Sequence, residues 1–549
     1  MDYNQTQSLW RRLPVGVIIL LCFTAALHQR YQPYFAQQSI FREHADFDDL
    51  DYHFIAANYA LAGRFPYLGF LVPEKDYQFR YEKGKPDGVD AIYLNVFKEV
   101  GPVLTFVRPP VYPLAVGVLY KVFGYRLSVL LWFNIFLLAA MAALFPLIGY
   151  ALARLPGVAA GIAAAVLLYY VHDFEPYRMD VEIPAALLLL LFFYTTVLYY
   201  QKNKSSYVGL AGLLTGLLLL TKPSIIFLPV LFFAGAFLIA KTNRGKRLLG
   251  QAMVFAAGVA VVVGAWSLYI NGQKELTAVS RQQWGSKVKA TMPLIAIDSL
   301  QQLETNPTLD LLVYKDLVKT FLLLHTQSDS STVFLGNQFR GGTSLLYLNN
   351  EYSVTSGMGS FGWAWKIMRH SYYNTHHLSS SNIMKVFYFY TENPQYIYQI
   401  PLKRITCTAE KYPLVFWLAP LLWALCVLVC RAAAVNKVGL RWALLLLLWS
   451  AAAAGCWLSV TENVLPQGVV PVLLFVPVYL VALGLYKNEF NGRLSAAYPI
   501  VWGSIFLFIV VVLGDHRFTK IAMPLNCFAI AFYSYRLVQQ TIKGLRPGA

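Results

Sequence analysis

The chain has 549 residues, of which 57% are hydrophobic and only 13% are charged. Soluble domains carry about 25% charged residues, so this composition excludes an ordinary soluble protein and indicates a polytopic membrane protein. The formal net charge of +17 could indicate nucleic-acid binding, but the basic residues lie in short clusters between apolar runs. That distribution is typical of membrane orientation signals, so we expect membrane lipids and no nucleic acid as partners.

Apolar runs long enough to cross a bilayer recur along the chain, and they predict an all-α polytopic membrane protein with about twelve transmembrane helices. The first run follows Arg11 and Arg12 and lacks a small-residue cleavage site, which favours a retained anchor. The predicted spans lie near residues 13–28, 127–150, 156–171, 183–200, 205–221, 224–240, 252–270, 413–430, 442–460, 469–486, 496–513 and 518–536.

The basic clusters set the predicted orientation. With the N-terminus in the cytoplasm, each short cluster of lysine and arginine falls on the cytoplasmic side, and so does the basic C-terminal tail. This arrangement requires that residues 101–124 do not cross the membrane. Arg108 and the prolines of that stretch favour an interfacial or re-entrant helix instead.

Two long segments then face outward, and the sequence divides into three regions. Residues 1–270 form an N-terminal transmembrane module that contains the first outer loop, at about 28–126. Residues 271–412 form an outer-face loop region in which we expect interfacial helices, and residues 413–549 form a C-terminal transmembrane module. Almost all residues suited to chemistry lie on one face, whereas transporters place their sites near the middle of the membrane.

The first outer loop begins with an acidic stretch, "HADFDDLDYHFIAANYALAGRFPY" at residues 44–67, with four aspartates within six positions. From Tyr52 onward, apolar residues recur at the spacing of an amphipathic helix, which Gly63 and Pro66 are expected to end. Asp48 and Asp49 are expected just before this helix. One aspartate is expected to act as the helix N-cap, but that role does not account for four of them.

Five motifs in this order along residues 44–525 resemble those of GT-C glycosyltransferases, in particular the branch of lipid A aminoarabinose transferases and protein mannosyltransferases. "DDLDY" followed by "ANYALAG" is similar to the D-[DE]-x-x-Y…A…G signature of the first outer loop of these enzymes. The other four motifs are "RPPVYP", "GLLTGLLLLTKPSIIFLP", "NPQYIYQIPLKRI" and "DHRFTKIAMPL".

The resemblance implies a GT-C fold and an inverting transfer of a sugar from a polyprenyl-phosphate donor to a lipid, polysaccharide or protein acceptor. Asp48 aligns with the catalytic general base, a role worth about 10²–10⁴-fold in rate. Asp49 occupies the second acidic place of the motif. Asp51 is an additional carboxylate, so the choice of base among the three aspartates stays open.

The leaving phosphate requires cations at the membrane surface. Arg108, Lys222 and Arg517 each lie in one of the motifs and are expected at the outer boundary of the membrane. The short outer segment "HDFEPYRMDVEIP" supplies further acidic candidates, of which Asp173 and Glu182 would assist an acceptor or a metal. A histidine near several carboxylates could also bind a divalent cation.

The predicted protein is therefore a bacterial inner-membrane enzyme with cytoplasmic termini and a periplasmic active site. Two other functions stay open at this point. A lipid or sugar transporter would place charges opposite one another at mid-membrane, and a scaffold for envelope polysaccharide assembly would tolerate the loss of Asp48.

Overall fold

The computed structural model describes 15–29, 47–77, 98, 102–104, 108–170, 174, 176, 179–222, 225, 228–229, 232–233, 244–272, 295–296, 322–325, 332–335, 418–426, 498, 502 and 517–545. Most of these residues are helical. The helices are α1 (Val15–Gln29), α2 (Phe47–Ala62), α3 (Val111–Phe123), α4 (Leu127–Tyr170), α5 (Glu182–Lys202), α6 (Ser205–Leu219), α7 (Arg244–Gly272) and α8 (Arg517–Leu545). Residues 418–426 are helical as well.

The described part of the chain is mostly helical, as predicted, and it also contains five short strands. Strand β1 (Tyr67–Leu68) pairs antiparallel with β2 (Val103–Leu104). Strands β3 (Ile295–Ala296), β4 (Leu322–His325) and β5 (Thr332–Leu335) form a second sheet, in which β3 is parallel and β5 antiparallel to β4. These three strands are all that the structure describes between residues 273 and 417. The interfacial helices predicted for that region lie outside the described residues.

Among the described residues, four helical segments are long and apolar enough to cross a bilayer: Leu127–Tyr170, Glu182–Lys202, Leu249–Gly272 and Lys520–Gln539. They agree with the membrane protein that the composition predicts. The number of twelve spans stays a prediction, because several of the expected spans lie outside the part of the chain that the structure describes.

Helix α4 is a hairpin of two antiparallel arms. Its 44 residues would be about 66 Å long if straight, twice the thickness of the hydrocarbon core. The backbone leaves the helical conformation at Ala153 and Arg154, where Arg154 has φ 57°. The two arms pack closely at Gly149 and Gly157, where a Cβ on Gly149 would collide with the carbonyl of Gly157. Glycine at these positions therefore allows the close contact. The hairpin matches the two predicted spans on either side of Arg154.

Helices α5 and α6 form the next hairpin, which turns at Asn203 in the left-handed conformation. Asparagine adopts this conformation more readily than most residues. Gln201 donates a hydrogen bond to the carbonyl of Ala151, so this turn lies beside the turn of α4. Arg154, Lys202 and Lys204 therefore lie at one end of the bundle, which we call the basic end.

Helices α6 and α7 run parallel, with glycines at their contact. Gly212 lies against Phe255, and Gly216, one turn later, lies against Val259. The contacts advance in the same direction along both helices, so the helices are parallel. Parallel packing requires the connecting chain to return to the basic end. Phe232 in that connection packs against Tyr199, close to the end of α5, as this return requires.

The opposite end, which we call the site end, contains the start of α5, the end of α6 and the short helices α2 and α3. Helix α3 has 13 residues and is about 20 Å long, less than the roughly 30 Å that a span requires. It packs against α2 through a cluster that includes Tyr52, Tyr112 and Val116. The structure therefore gives residues 111–123 a short helix, as expected for an interfacial segment.

Candidate active site

Helix α2 begins at Phe47, five residues earlier than the apolar pattern predicted. The prediction that Asp48 and Asp49 precede the helix is therefore wrong, and neither is its N-cap. Both lie in the first turn, where carboxylates are favoured because the helix N-terminus carries partial positive charge. The side chains of these two aspartates lie outside the part that the structure describes.

Asp51 is fully buried and forms an ion pair with Arg108, of which only 7% is exposed. The Nε and Nη2 atoms of Arg108 both lie 2.7 Å from Oδ2 of Asp51. Burial of either charge alone would be strongly unfavourable, so each group is stable here because the other is present. The extra carboxylate of the sequence motif is thus the residue that holds a predicted phosphate-binding arginine.

An aromatic side chain lies against this ion pair and connects it to a second ring. The ring of Tyr52 lies 5.7 Å from Cζ of Arg108, close enough for a cation–π interaction. Tyr52 also contacts the ring of Tyr112, at a centroid distance of 6.3 Å. The hydroxyl of Tyr112 donates to Oδ1 of Asn134 at 2.8 Å, which connects the start of α3 to α4.

A second buried ion pair lies at the same end of the bundle. The ammonium of Lys222 contacts a carboxylate oxygen of Glu182, and both side chains are largely buried. Glu182 is the first residue of α5, and Oδ1 of Asp180 accepts a hydrogen bond from its backbone N–H at 3.0 Å. The structure therefore places Glu182 against a cation.

A backbone hydrogen bond joins the chain segments that carry the two cations. The N–H of Val111, three residues after Arg108, donates to the carbonyl of Leu220, two residues before Lys222, at 3.1 Å. The amide of Asn134 donates to the carbonyl of Pro176 at 3.0 Å, which ties the segment before α5 to the same region. The site end thus brings together two of the three predicted phosphate-binding residues.

His53, two residues after Asp51, is also buried, but it carries no charge at neutral pH. Its Nε2 lies 2.7 Å from the hydroxyl of Tyr125, and its ring contacts that of Tyr120. Burial lowers the pKa of His53 from 6.5 to about 4, so the imidazole is neutral at neutral pH. Burial also raises the pKa of Tyr120 well above 10. This cluster therefore supplies no positive charge to a phosphate.

Arg517 is the first residue of α8, and its side chain lies outside the described part of the chain, as does Asp173. Among the residues that the structure describes, no group of three or more His, Cys, Asp and Glu side chains is arranged to hold a metal ion.

Sequence reasoning missed the role of Asp51, although the sequence contains a signal for it. Positions 51, 54, 55 and 58 follow helical spacing, and all four residues are fully buried. An aspartate in line with Phe54 and Ile55 on such a stripe predicts a buried carboxylate that needs a cation. Arg108, in the next motif of the chain, is that cation.

Residues 107–269 match the family model described as dolichyl-phosphate-mannose-protein mannosyltransferase, a domain of the GT-C superfamily. Members of this family are glycosyltransferases, so the resemblance indicated by the sequence motifs and the expected enzyme class are confirmed. The matched region contains Arg108, Glu182 and Lys222, whereas Asp48 and Arg517 lie outside it. Searches of curated proteins and of solved structures gave no match.

Proposed function

We propose that this chain, whose residues 107–269 match the dolichyl-phosphate-mannose-protein mannosyltransferase family, transfers a sugar from a polyprenyl-phosphate donor to an acceptor on the periplasmic face of a bacterial inner membrane. The family match carries this proposal. The matched region contains the Arg108 and Lys222 segments, and the Val111–Leu220 hydrogen bond holds these segments together.

The proposed reaction is a single displacement with inversion at the anomeric carbon. The acceptor atom forms a bond to that carbon while the bond from the carbon to the phosphate oxygen breaks. Asp48 accepts the proton of the acceptor, and the polyprenyl phosphate leaves as an anion. Asp49 occupies the adjacent position in the first turn of α2, where it adds negative charge beside the base.

The developing charge on the leaving phosphate requires positive groups at the headgroup level of the membrane. We assign this role to Arg108, Lys222 and Arg517. Glu182 pairs with Lys222, which limits the positions that the flexible lysine side chain adopts. An arginine at the start of α8 would add a cation from a third, distant part of the chain.

The distribution of buried charge favours an enzyme over a transporter. In the described part of the chain, the charged residues that are buried are Asp51, Arg108, Asp180 and Glu182. All four belong to the site end, at the start of α5 or between α2 and α3. A transporter with a site at mid-membrane would place such groups within the spans instead.

The positive-inside rule supports a periplasmic location for the site end. Arg154, Lys202 and Lys204 lie together at the basic end, which the rule assigns to the cytoplasm. The site end would then face the periplasm, where a polyprenyl-phosphate sugar in the outer leaflet presents its phosphate. Both termini would be cytoplasmic.

Mass spectrometry of envelope glycolipids, polysaccharides and glycoproteins from a deletion strain tests this function. We expect one sugar modification to be lost and to return with the wild-type gene but not with the Asp48→Asn variant. A complete set of modifications in the deletion strain would contradict a transferase. Recovery with Asp48→Asn would support the scaffold instead.

A further inference from the structure

The ion pair of Asp51 and Arg108 holds one edge of the guanidinium on a single carboxylate oxygen. Nε and Nη2 of Arg108 each lie 2.7 Å from Oδ2 of Asp51. The hydrogen bond from Nε and the short ionic contact of Nη2 with the same oxygen restrict the plane of the guanidinium, and with it the direction of its Nη1 group. A lysine at this position would provide a charge without a defined direction.

A contribution to folding stability alone does not explain why Asp51 and Arg108 form a buried ion pair. Replacement of a buried ion pair by apolar residues of similar volume is often neutral or stabilising. Asp51 has no exposed surface, and it lies in a chain that is 57% hydrophobic. An apolar pair would fill the same space, so the ion pair calls for a second role that depends on charge and direction.

The backbone around Arg108 is fixed as firmly as its side chain. Pro109 and Pro110 follow it, and each locks its own φ angle. The next residue, Val111, donates its N–H to the carbonyl of Leu220 and begins helix α3. The guanidinium is thus held by Asp51 and by the ring of Tyr52, while its backbone is held against the segment that leads to Lys222.

Helix α2 sets the position of this arginine relative to the proposed base. Positions 48 and 51 are three residues apart, which corresponds to about 4.5 Å along the helix axis. Residues at this spacing are neighbours on a helix surface. Asp51 therefore holds Arg108 within about one helical turn of the backbone of Asp48.

We propose that Asp51 is a positioning residue, which orients Arg108 toward the donor phosphate beside the first turn of α2. This role rests on the proposed function. Its carboxylate acts through the guanidinium and takes no proton from the acceptor. Of the three aspartates that the sequence left as candidates for the base, Asp51 thereby has a different task.

Binding of farnesyl phosphate to the purified full-length protein in nanodiscs tests this role without a requirement for turnover. Asp51→Asn retains the charge of Arg108 but removes its charged partner. Because a charge-assisted contact to phosphate is at stake, we expect affinity to fall about 10-fold or more. Asp51→Glu keeps the charges and moves the carboxylate by one methylene, so it should also weaken binding while the protein stays folded.

A neutral pair separates orientation from stability. Asp51→Asn combined with Arg108→Gln removes both charges and leaves no unpaired buried ion. If Asp51 were only structural, folded Asp51→Glu would bind farnesyl phosphate within about two-fold of the wild type, which would overturn the positioning role. We expect Asp51→Glu to bind at least about 10-fold more weakly, and we expect thermal unfolding of the double variant to be close to that of the wild type.

Glu74→Gln provides a matched control, because Glu74 pairs with Lys98 at 2.9 Å but lies on the surface. The same chemical change there should leave farnesyl phosphate affinity unchanged. Failure of the wild type to transfer sugar from any polyprenyl-phosphate donor would contradict the proposed function itself. Wild-type transfer together with unchanged affinity in folded Asp51→Asn would contradict only the positioning role.

Discussion

The backbone N–H of Val111 donates a hydrogen bond to the carbonyl of Leu220 at 3.1 Å. Proline at positions 109 and 110 removes two backbone donors, so this is the first N–H available after Arg108. The bond joins two motifs that are far apart in the sequence. The segments that carry Arg108 and Lys222 consequently lie side by side at the site end, each with a buried carboxylate partner.

Substitution of Lys222 by glutamine should reduce donor use about 10- to 150-fold, because one charge-assisted contact to the phosphate is lost. The measurement is kcat/KM for the polyprenyl-phosphate sugar. Lys222→Arg keeps the charge and should retain more activity than Lys222→Gln. An equal loss in both variants would show that the charge is not the property used.

Lys202→Gln is the matched control for this substitution. Lys202 is exposed at the basic end, at the opposite end of α5 from Glu182. We expect its donor kcat/KM to equal that of the wild type within about two-fold, since exposed surface charges contribute little. A comparable loss in this variant would indicate a general effect of charge rather than a phosphate site.

Asp48→Asn should lower kcat by on the order of 10² or more while expression and folding stay normal. Asparagine keeps the shape of the side chain but accepts no proton. The measurement is kcat at saturating donor, with Asp49→Asn assayed in parallel. If Asp49→Asn abolishes transfer and Asp48→Asn does not, the base is the neighbouring residue of the motif.

Much of the bundle could be predicted from the sequence, because apolar length and basic turns are local signals. The division of residues 127–171 into two spans follows from Arg154 between two apolar runs, and the structure turns there. The turn between α5 and α6 likewise falls between Lys202 and Lys204. The parallel contact of Gly212 with Phe255 has no such signal, because it depends on how distant helices pack.

The site was predicted less completely than the bundle. Motif resemblance selected Arg108, Lys222 and Glu182, but it did not indicate that each cation has a carboxylate partner. The apolar pattern also predicted a later start for α2 than the structure shows. Residues 51–58 are all buried, and they include the polar Asp51 and Asn58, so an apolar pattern does not mark the whole buried part of the helix. Periodicity detects an apolar stripe, whereas ion pairing adds polar residues to a buried surface.

Gly212→Ala should destabilise the protein, because the new Cβ would meet the backbone carbonyl of Phe255. Overpacking of this kind costs about 1–3 kcal/mol. Gly264→Ala is the control on helix α7, since a Cβ there has nothing within 4 Å. Alanine favours a helix over glycine by up to about 1 kcal/mol, so thermal unfolding of Gly264→Ala should be unchanged or higher. Equal effects of both substitutions would contradict the close contact of α6 and α7.

Cysteines at opposite ends of the bundle should be labelled from opposite sides of the membrane. Lys75 lies on an exposed turn after α2, and Lys204 is exposed at the basic end. In intact cells we expect an impermeant thiol reagent to label Lys75→Cys and to leave Lys204→Cys unlabelled until the membrane is opened. The wild type provides the background from its own cysteines. Labelling of Lys204→Cys alone would reverse the orientation and place the site end in the cytoplasm.

Acid should destabilise the protein through His53. Burial lowers its pKa to about 4, below the value of 6.5 for an exposed histidine, while Tyr120 and Tyr125 face it. Between these two values the unfolded chain binds a proton that the folded protein does not, so stability falls as the pH drops from 6.5 toward 4. The full effect is on the order of 3 kcal/mol.

We therefore expect the Tm of His53→Gln to depend less on pH in this window than that of the wild type. His28→Gln, a change at an exposed histidine of α1, should keep the wild-type dependence. If Tm changed with pH in the same way in the wild type and in His53→Gln, His53 would not be the cause of the acid sensitivity.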